Sequence, residues 1–464
     1  MSTQKTIRIG GASGYWGESD MAVPQFLNAG GLDYIVFDYL AEITMSIMAR
    51  ARAKDPDAGY ATDFVTAVIK PNLKEIARQG VKLISNAGGV NPRACGKAVE
   101  ALIEAAGLDL KVAVITGDDL IGRAKDIADT NATEMFSGET FPSPDKLASI
   151  NAYLGAFPIA EALNRGADIV ITGRSVDSAV TLGACIHEFG WSRDDVDALA
   201  GGSLAGHILE CGPQATGGNY TDWEGVADTL DEVGYPIAEI DADGAFTCTK
   251  PDDTGGTVTV GTVGEQMLYE IGDPQAYMLP DVVCDFSNVT LTQTAKDRVR
   301  VEGAKGNPAP DTYKVSATYA DGFRSGTVMF FYGEDAARKA RSYADNVISR
   351  ARSKLRALNA PDFEEVLTEV IGDESVYGDF AAADGSRSVA LKIAAKHQDM
   401  RAVGMFLKEA AGHGLAAPPG LSGFSGGRSR PSPVLRLFSF TLEKSEAPVT
   451  LSIKGEDINL GADA

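Results

Sequence analysis

The feature that most restricts this chain lies in its first 190 residues, where short aliphatic runs alternate with helix-compatible stretches. Ile7-Arg8-Ile9 enters the turn Gly10-Gly11-Ala12-Ser13-Gly14, and residues 34–37, 81–84, 111–116 and 167–172 repeat the aliphatic run. Between them, residues 19–28, 42–79 (broken near 54–59), 92–106, 147–164 and 175–189 read as helices. Parallel strands need long crossover connections, usually helices, so this spacing predicts βαβ units. Runs that are apolar on both sides predict a sheet covered on both faces. The expected fold class is α/β, with a mainly parallel, Rossmann-like open sheet. A barrel would need more units than can be counted.

From about residue 236 the pattern changes to period two. Residues 257–263, 282–292, 298–303, 312–319 and 324–332 read as strands, with Ala320-Asp321-Gly322 as a hairpin turn. A helix over 334–358, strands at 365–371 and 389–396, a helix over 399–412, and strands at 433–443 and 448–454 follow. At 464 residues more than one domain is expected. The expected division is an α/β domain over 1–235 and an α+β domain of hairpins and two helices over 236–464. The Gly-, Pro- and Ser-rich stretch 412–433 reads as a disordered or functional loop.

Charge narrows the partners. With 42 basic and 64 acidic side chains the net charge is −22, which argues against nucleic acid or an anionic membrane as partner. No secretory leader or spanning helix is legible at the start or elsewhere, and the five widely spaced cysteines read as reduced thiols, so a cytoplasmic location is expected. Four histidines without metal-ligand spacing give no reason to expect a metal.

In an open parallel sheet, ligands bind at the carboxyl ends of the strands. After the first strand, Gly11, Ser13 and Gly14 offer a tight turn and close backbone approach for an anion. After the third comes Asn86 as a ligand candidate, with Asn91 read as a helix cap ahead of Pro92. After the fourth stand Asp118 and Asp119, which on an extended chain point apart. After the next, Arg174 is a fixed cation suited to a carboxylate or phosphate, and Asp177 either caps a helix or pairs with it. The densest cluster is Gly206-His207-Ile208-Leu209-Glu210-Cys211-Gly212, followed by a Gly-rich stretch to Asn219. In a helix, His207 and Cys211 share a face. Glu210, His207 and Asp177 are candidate acids or bases. Cys211 is a candidate nucleophile, or else a small buried apolar residue.

Several segments resemble one family. Gly-Gly-Ala-Ser-Gly-Tyr-Trp-Gly-Glu-Ser at 10–19, Asn-Ala-Gly-Gly-Val-Asn-Pro at 86–92, Thr-Gly-Arg-Ser-Val-Asp at 172–177, and Gly-His-Ile-Leu-Glu-Cys-Gly at 206–212 look like the acyclic terpene utilisation (AtuA) family. So do Ala-Thr-Gly-Gly at 215–218, Tyr-Glu-Ile-Gly-Asp-Pro at 269–274, 306–315 and Ser-Pro-Val-Leu-Arg at 432–436. The resemblance implies catabolic chemistry among acyl-CoA intermediates, and a separate small subunit supplying a domain that longer members carry. The expected protein is therefore a catabolic lyase or hydratase of a carboxylic acid or acyl-CoA thioester, with Gly11, Ser13, Gly14, Asn86, Arg174 and Asn219 binding substrate. Coenzyme A would enter as part of the substrate, and homo- or hetero-oligomers are expected. The alternatives are a Cys211-dependent acyl transferase or thioesterase, and a non-catalytic subunit of a CoA-enzyme complex.

Overall fold

A computed structural model describes residues 5–18, 20–382, 385–427 and 429–461. Ser19, which closes the first motif, and Arg428 lie outside them. By internal contacts the chain forms two compact units, one of 1–318 with 437–464 and one of 319–436.

In the first unit, strands β1 (Thr6–Gly11), β2 (Tyr34–Phe37), β3 (Lys82–Ser85) and β4 (Val112–Thr116) alternate with helices α1 (Ala22–Ala29), α2 (Glu42–Lys54), α3 (Lys70–Gln79) and α4 (Pro92–Ala106). Asn91 caps α4, accepting Ala94 N–H at 3.4 Å, with Pro92 in the first turn. Then come α5 (Ala124–Asp129), β5 (Leu147–Ala152), α6 (Phe157–Asn164), β6 (Ile169–Thr172), α7 (Ala179–Phe189) and α8 (Val196–Glu210). Antiparallel strands β7 (Ile237–Asp241) and β8 (Phe246–Thr249), helix α9 (Val260–Leu268), and strands β9 (Tyr277–Met278), β10 (Val283–Asp285), β11 (Thr290–Ala295), β12 (Arg298–Glu302) and β13 (Lys305–Asn307) follow. The start of β14 (Thr312–Tyr332) completes this stretch.

The main sheet runs β1-β2-β3-β6-β4 in parallel, the α/β arrangement expected. It is parallel only in its centre. β7, β8, β12 and β11 extend the β1 edge antiparallel, and the closing hairpin, Val449–Ile453 with Glu456–Gly461, extends the β4 edge. Alternate strand residues Ile35, Leu83, Val114 and Ile171 share one core with Phe26, Ile76 and Val99 of α1, α3 and α4. Helices α6, α7 and α8 pack together on the sheet's remaining side. Both faces are thus covered, as continuous aliphatic strands require.

The second unit is an antiparallel sheet in the order β15 (Glu365–Ile371), β16 (Ser388–His397), β14, β17 (Leu421–Phe424). Helices α10 (Ala336–Ala357) and α11 (Met400–Gly412) bury Ala340, Tyr343, Val347 and Phe406 against Phe331, Leu391 and Ile393. The chain returns to the first unit within the strand Ser432–Glu443.

Five expectations differ from the structure. Residues 147–152 are strand, not helix, because they pair with β14, where Tyr153 N–H reaches Lys314 O at 2.9 Å. Residues 260–263 open α9, because Thr259 caps it, accepting Thr262 N–H at 3.2 Å. Ala320-Asp321-Gly322 makes no hairpin. β14 runs straight through, with Phe323 paired to His397 and Asp321 held 2.5 Å from Lys396 Nζ. Within the expected disordered or functional loop 412–433, residues 421–424 form β17, because they pair with β14 at Phe330 and Gly423. The units also divide at 318/319 and 436/437 rather than at 235, because β7 and β8 continue the sheet that β1 begins.

Candidate active site

The strand ends converge, and the residue that joins them is Arg174, just beyond β6. Its backbone N–H donates to Asp118 Oδ2 at 2.9 Å. Its guanidinium donates to Leu40 O at 2.6 Å and to Asp177 Oδ1 at 2.8 Å, and it lies 4.2 Å over the Tyr153 ring. Arg174 is only 4% exposed, and its Nε has no hydrogen-bond partner. Asp177 therefore pairs with Arg174. Ser178, the N-cap of α7, makes no side-chain capping bond.

Asp38 directly follows β2 and lies in the same Coulombic cluster. Asn86 donates to its Oδ1, and Asn86 Oδ1 accepts Tyr39 N–H at 2.8 Å, so Asn86 is fully committed to fixing the loop after β2. Burial, reinforced by Asp177, pushes the Asp38 carboxyl well above its ordinary value, against the pull of Arg174. Asp118, buried as the neighbour of Asp119, is likewise pushed up to about 7 by burial. Asp119 points outward to Arg52 at 2.8 Å, so the two carboxylates do diverge.

Helix α8 brings up a second pair. Its small residues allow close approach: a Cβ on Gly206 would meet Ser178 at 2.7 Å. At its end His207 is 1% and Glu210 8% exposed. His207 Nδ1 stands 2.8 Å from Glu210 Oε1. The angle is unfavourable, however, and neither ring nitrogen makes a hydrogen bond. Burial pulls the imidazole down, but the Glu210 carboxylate more than offsets this and lifts it above its ordinary value. Burial lifts the Glu210 carboxyl too, against His207 and with Asp177 and Glu270. The two groups titrate as one coupled buried pair, an arrangement that gathers at functional sites.

The remaining expected residues play other parts. A Cβ on Gly11 would fall 2.5 Å from Leu209 O, and one on Gly14 2.9 Å from Cys211 Cα. The turn after β1 is thus packed on the carbonyl end of α8, where the helix dipole disfavours an anion. The Gly14 amide is already taken by Glu18 Oε2 at 2.6 Å, and Ser13 Oγ donates to Tyr15 O at 3.1 Å. Gly11, Ser13 and Gly14 therefore form a packing turn rather than an open anion cradle. Asn219 is exposed, at φ 54°, and donates to Gln214 at 2.7 Å; none of its contacts reaches Arg174. Cys211 ends α8, and burial with the Glu210 charge pushes its thiol far up. A nucleophilic cysteine needs the opposite shift.

A cavity of about 440 Å³ opens onto this cluster. Arg174, Asp177, Tyr153, Glu42, Lys314 and Tyr277 form its polar end, while Glu210 and His207 stand behind the wall, the His207 ring 6.2 Å from that of Tyr277. Sequence reasoning missed five of these residues. Asp38 was available to the strand-end rule, which passed over β2. Tyr153 and Glu42 were hidden, the first by the misread helix, and Lys314 and Tyr277 come from the later strands with no local signal. Among the described residues no group of three or more His, Cys, Asp or Glu side chains could hold a metal ion. The second unit has a larger groove, about 870 Å³, lined by Leu355, Leu358, His397 and Met400, without a comparable cluster of buried acids.

The fold defines an α/β protein with a cluster of buried polar residues at the carboxyl edge of its parallel strands. The model of the acyclic terpene utilisation family protein AtuA matches residues 7–453, and the chain belongs to that family. No curated protein and no solved structure matches it. Among the described residues no helix is long and apolar enough to cross a membrane.

Proposed function

We propose that the chain is a catabolic enzyme acting on a carboxylic acid or acyl-CoA thioester, as a lyase or hydratase. The observation that carries this reading is a buried arginine, Arg174, holding Asp177 at the wall of a 440 Å³ cavity, with the Glu210–His207 pair behind it. That volume falls within the roughly 300–1,000 Å³ typical of small-molecule sites. Lyases and hydratases need a base to take a proton beside a carbonyl and a donor for the oxyanion that forms. Arg174 holds the Asp177 carboxylate at 2.8 Å on the cavity wall, where it can act as the base. Tyr277, whose hydroxyl burial pushes up, keeps its proton and can donate. A separate small subunit and an oligomeric assembly belong to the same proposal.

The test is turnover of a panel of acyl-CoA thioesters and free acids by the purified chain, with and without Arg174→Ala and Asp177→Asn. The expected outcome is activity on at least one compound, reduced about 10²-fold or more by each variant. Unchanged turnover in both variants would remove the site. Ligand bound but never turned over, with activity only on adding a partner protein, would favour a non-catalytic subunit of a CoA-enzyme complex.

A further inference from the structure

The polar end of the cavity holds two cations of unequal availability. Arg174 is occupied by Leu40 O, Asp177 and the face of Tyr153. Lys314 is different. It comes from β14, its side chain is 42% exposed, and its ammonium sits 4.8 Å over the same Tyr153 ring. The carboxylate it approaches is Glu42, at 3.9 Å, and that Oε1 already accepts the Tyr153 hydroxyl. Among the described residues no hydrogen bond of the Lys314 ammonium is found, and its ion pair with Glu42 is long.

The rest of the lining combines the apolar Leu40, Val176, Leu279 and Pro280 with the acidic Asp177 and Glu270. An anionic head with an aliphatic tail finds partners for both its parts in this lining. Coenzyme A does not. Its nucleotide end carries three phosphate groups, which need several cations or free amides. This cavity has two cations, Arg174 and Lys314, against three carboxylates on its wall, and a chain of net charge −22 around it.

We propose that the cavity takes a compact free carboxylate with an aliphatic chain, its head paired with Lys314, in preference to a coenzyme A thioester. This rests on the reading of the cavity as the active site and narrows its substrate class.

The experiment is calorimetric titration of the full chain with isovalerate, octanoate, decanoate and the corresponding CoA thioesters, using wild type, Lys314→Ala and Lys314→Arg. A free acid is expected to bind wild type more tightly than its thioester, about tenfold more weakly after Lys314→Ala, and near normally after Lys314→Arg. Tighter binding of the thioester, or free-acid binding unmoved by Lys314→Ala, overturns the inference. A thioester that binds and is lost on Arg174→Ala leaves the active-site reading standing while this inference falls. If neither acids nor thioesters bind, both fall.

Discussion

Glu210 and Glu409 invite comparison, because each is a nearly buried glutamate in the last turn of a helix, where the dipole disfavours a carboxylate. In the second unit, Glu409 accepts Arg350 Nε at 2.9 Å and also pairs with Lys354. Burial would raise its carboxyl, but these two cations outweigh burial and hold it below its ordinary value. In the first unit, Glu210 has one imidazole in poor hydrogen-bonding geometry and two acidic neighbours, and its carboxyl is pushed up. The same residue type in the same helical position is neutralised by design of its surroundings in one unit and left in conflict in the other. Compensated burial supports a fold. Uncompensated burial, beside a cavity, supplies a group whose proton is free to move.

The comparison breaks most sharply under paired substitution. Glu210→Gln is expected to cut turnover about 10²-fold while changing unfolding free energy by less than about 1 kcal/mol, since a raised carboxyl loses little on becoming an amide. Glu409→Gln is expected to do the reverse, costing about 1–2 kcal/mol in urea unfolding with turnover unchanged. Equal stability losses in the two variants would erase the distinction.

A smaller effect sharpens it through pH. Asp118 has a folded value of about 7 against the usual 3.8. The folded state then holds a proton that the unfolded state has lost, so stability is full below about pH 4 and declines as pH rises toward 7. Urea unfolding across that window should show this decline, and Asp118→Asn should flatten it. A slope unaffected by the substitution would place the titration elsewhere. The smallest effect concerns Cys211. Its thiol is held protonated by burial and by Glu210, so Cys211→Ser should change turnover only a few-fold and iodoacetamide should label it slowly. Complete loss of activity with rapid labelling would restore the thiol-nucleophile mechanism.

How much of this was legible in the sequence follows from which forces are local. The aliphatic runs at 34–37, 81–84 and 167–172 and the Asn91-Pro92 start signal are local, and they located the parallel sheet and α4. Arg174 and Asp177 were candidates because strand ends are where such a sheet binds ligands, and His207 and Glu210 because they form the densest cluster of titratable side chains in the sequence. The turn after β1 was misjudged because its glycines meet α8, a contact with residues some 200 positions on. Lys314 and Tyr277 reach the cavity through strand pairing across even less predictable separations, and Tyr153 through a strand, 147–152, that forms only against β14. The flanking strands near 298–303 and 448–454 were legible, but not their pairing onto the main sheet, since edge pairing is decided by tertiary register rather than by local pattern.

The central claim is that chemistry takes place between Arg174, Asp177 and Tyr277, not in the larger groove of the second unit. The direct measurement is a crystal structure of the protein with the tightest-binding member of the acid and thioester panel. The account expects ligand in the 440 Å³ cavity, within hydrogen-bond reach of Asp177 or Tyr277. Ligand ordered instead in the 870 Å³ groove beside Leu358, His397 and Met400, with the first cavity empty, would contradict it.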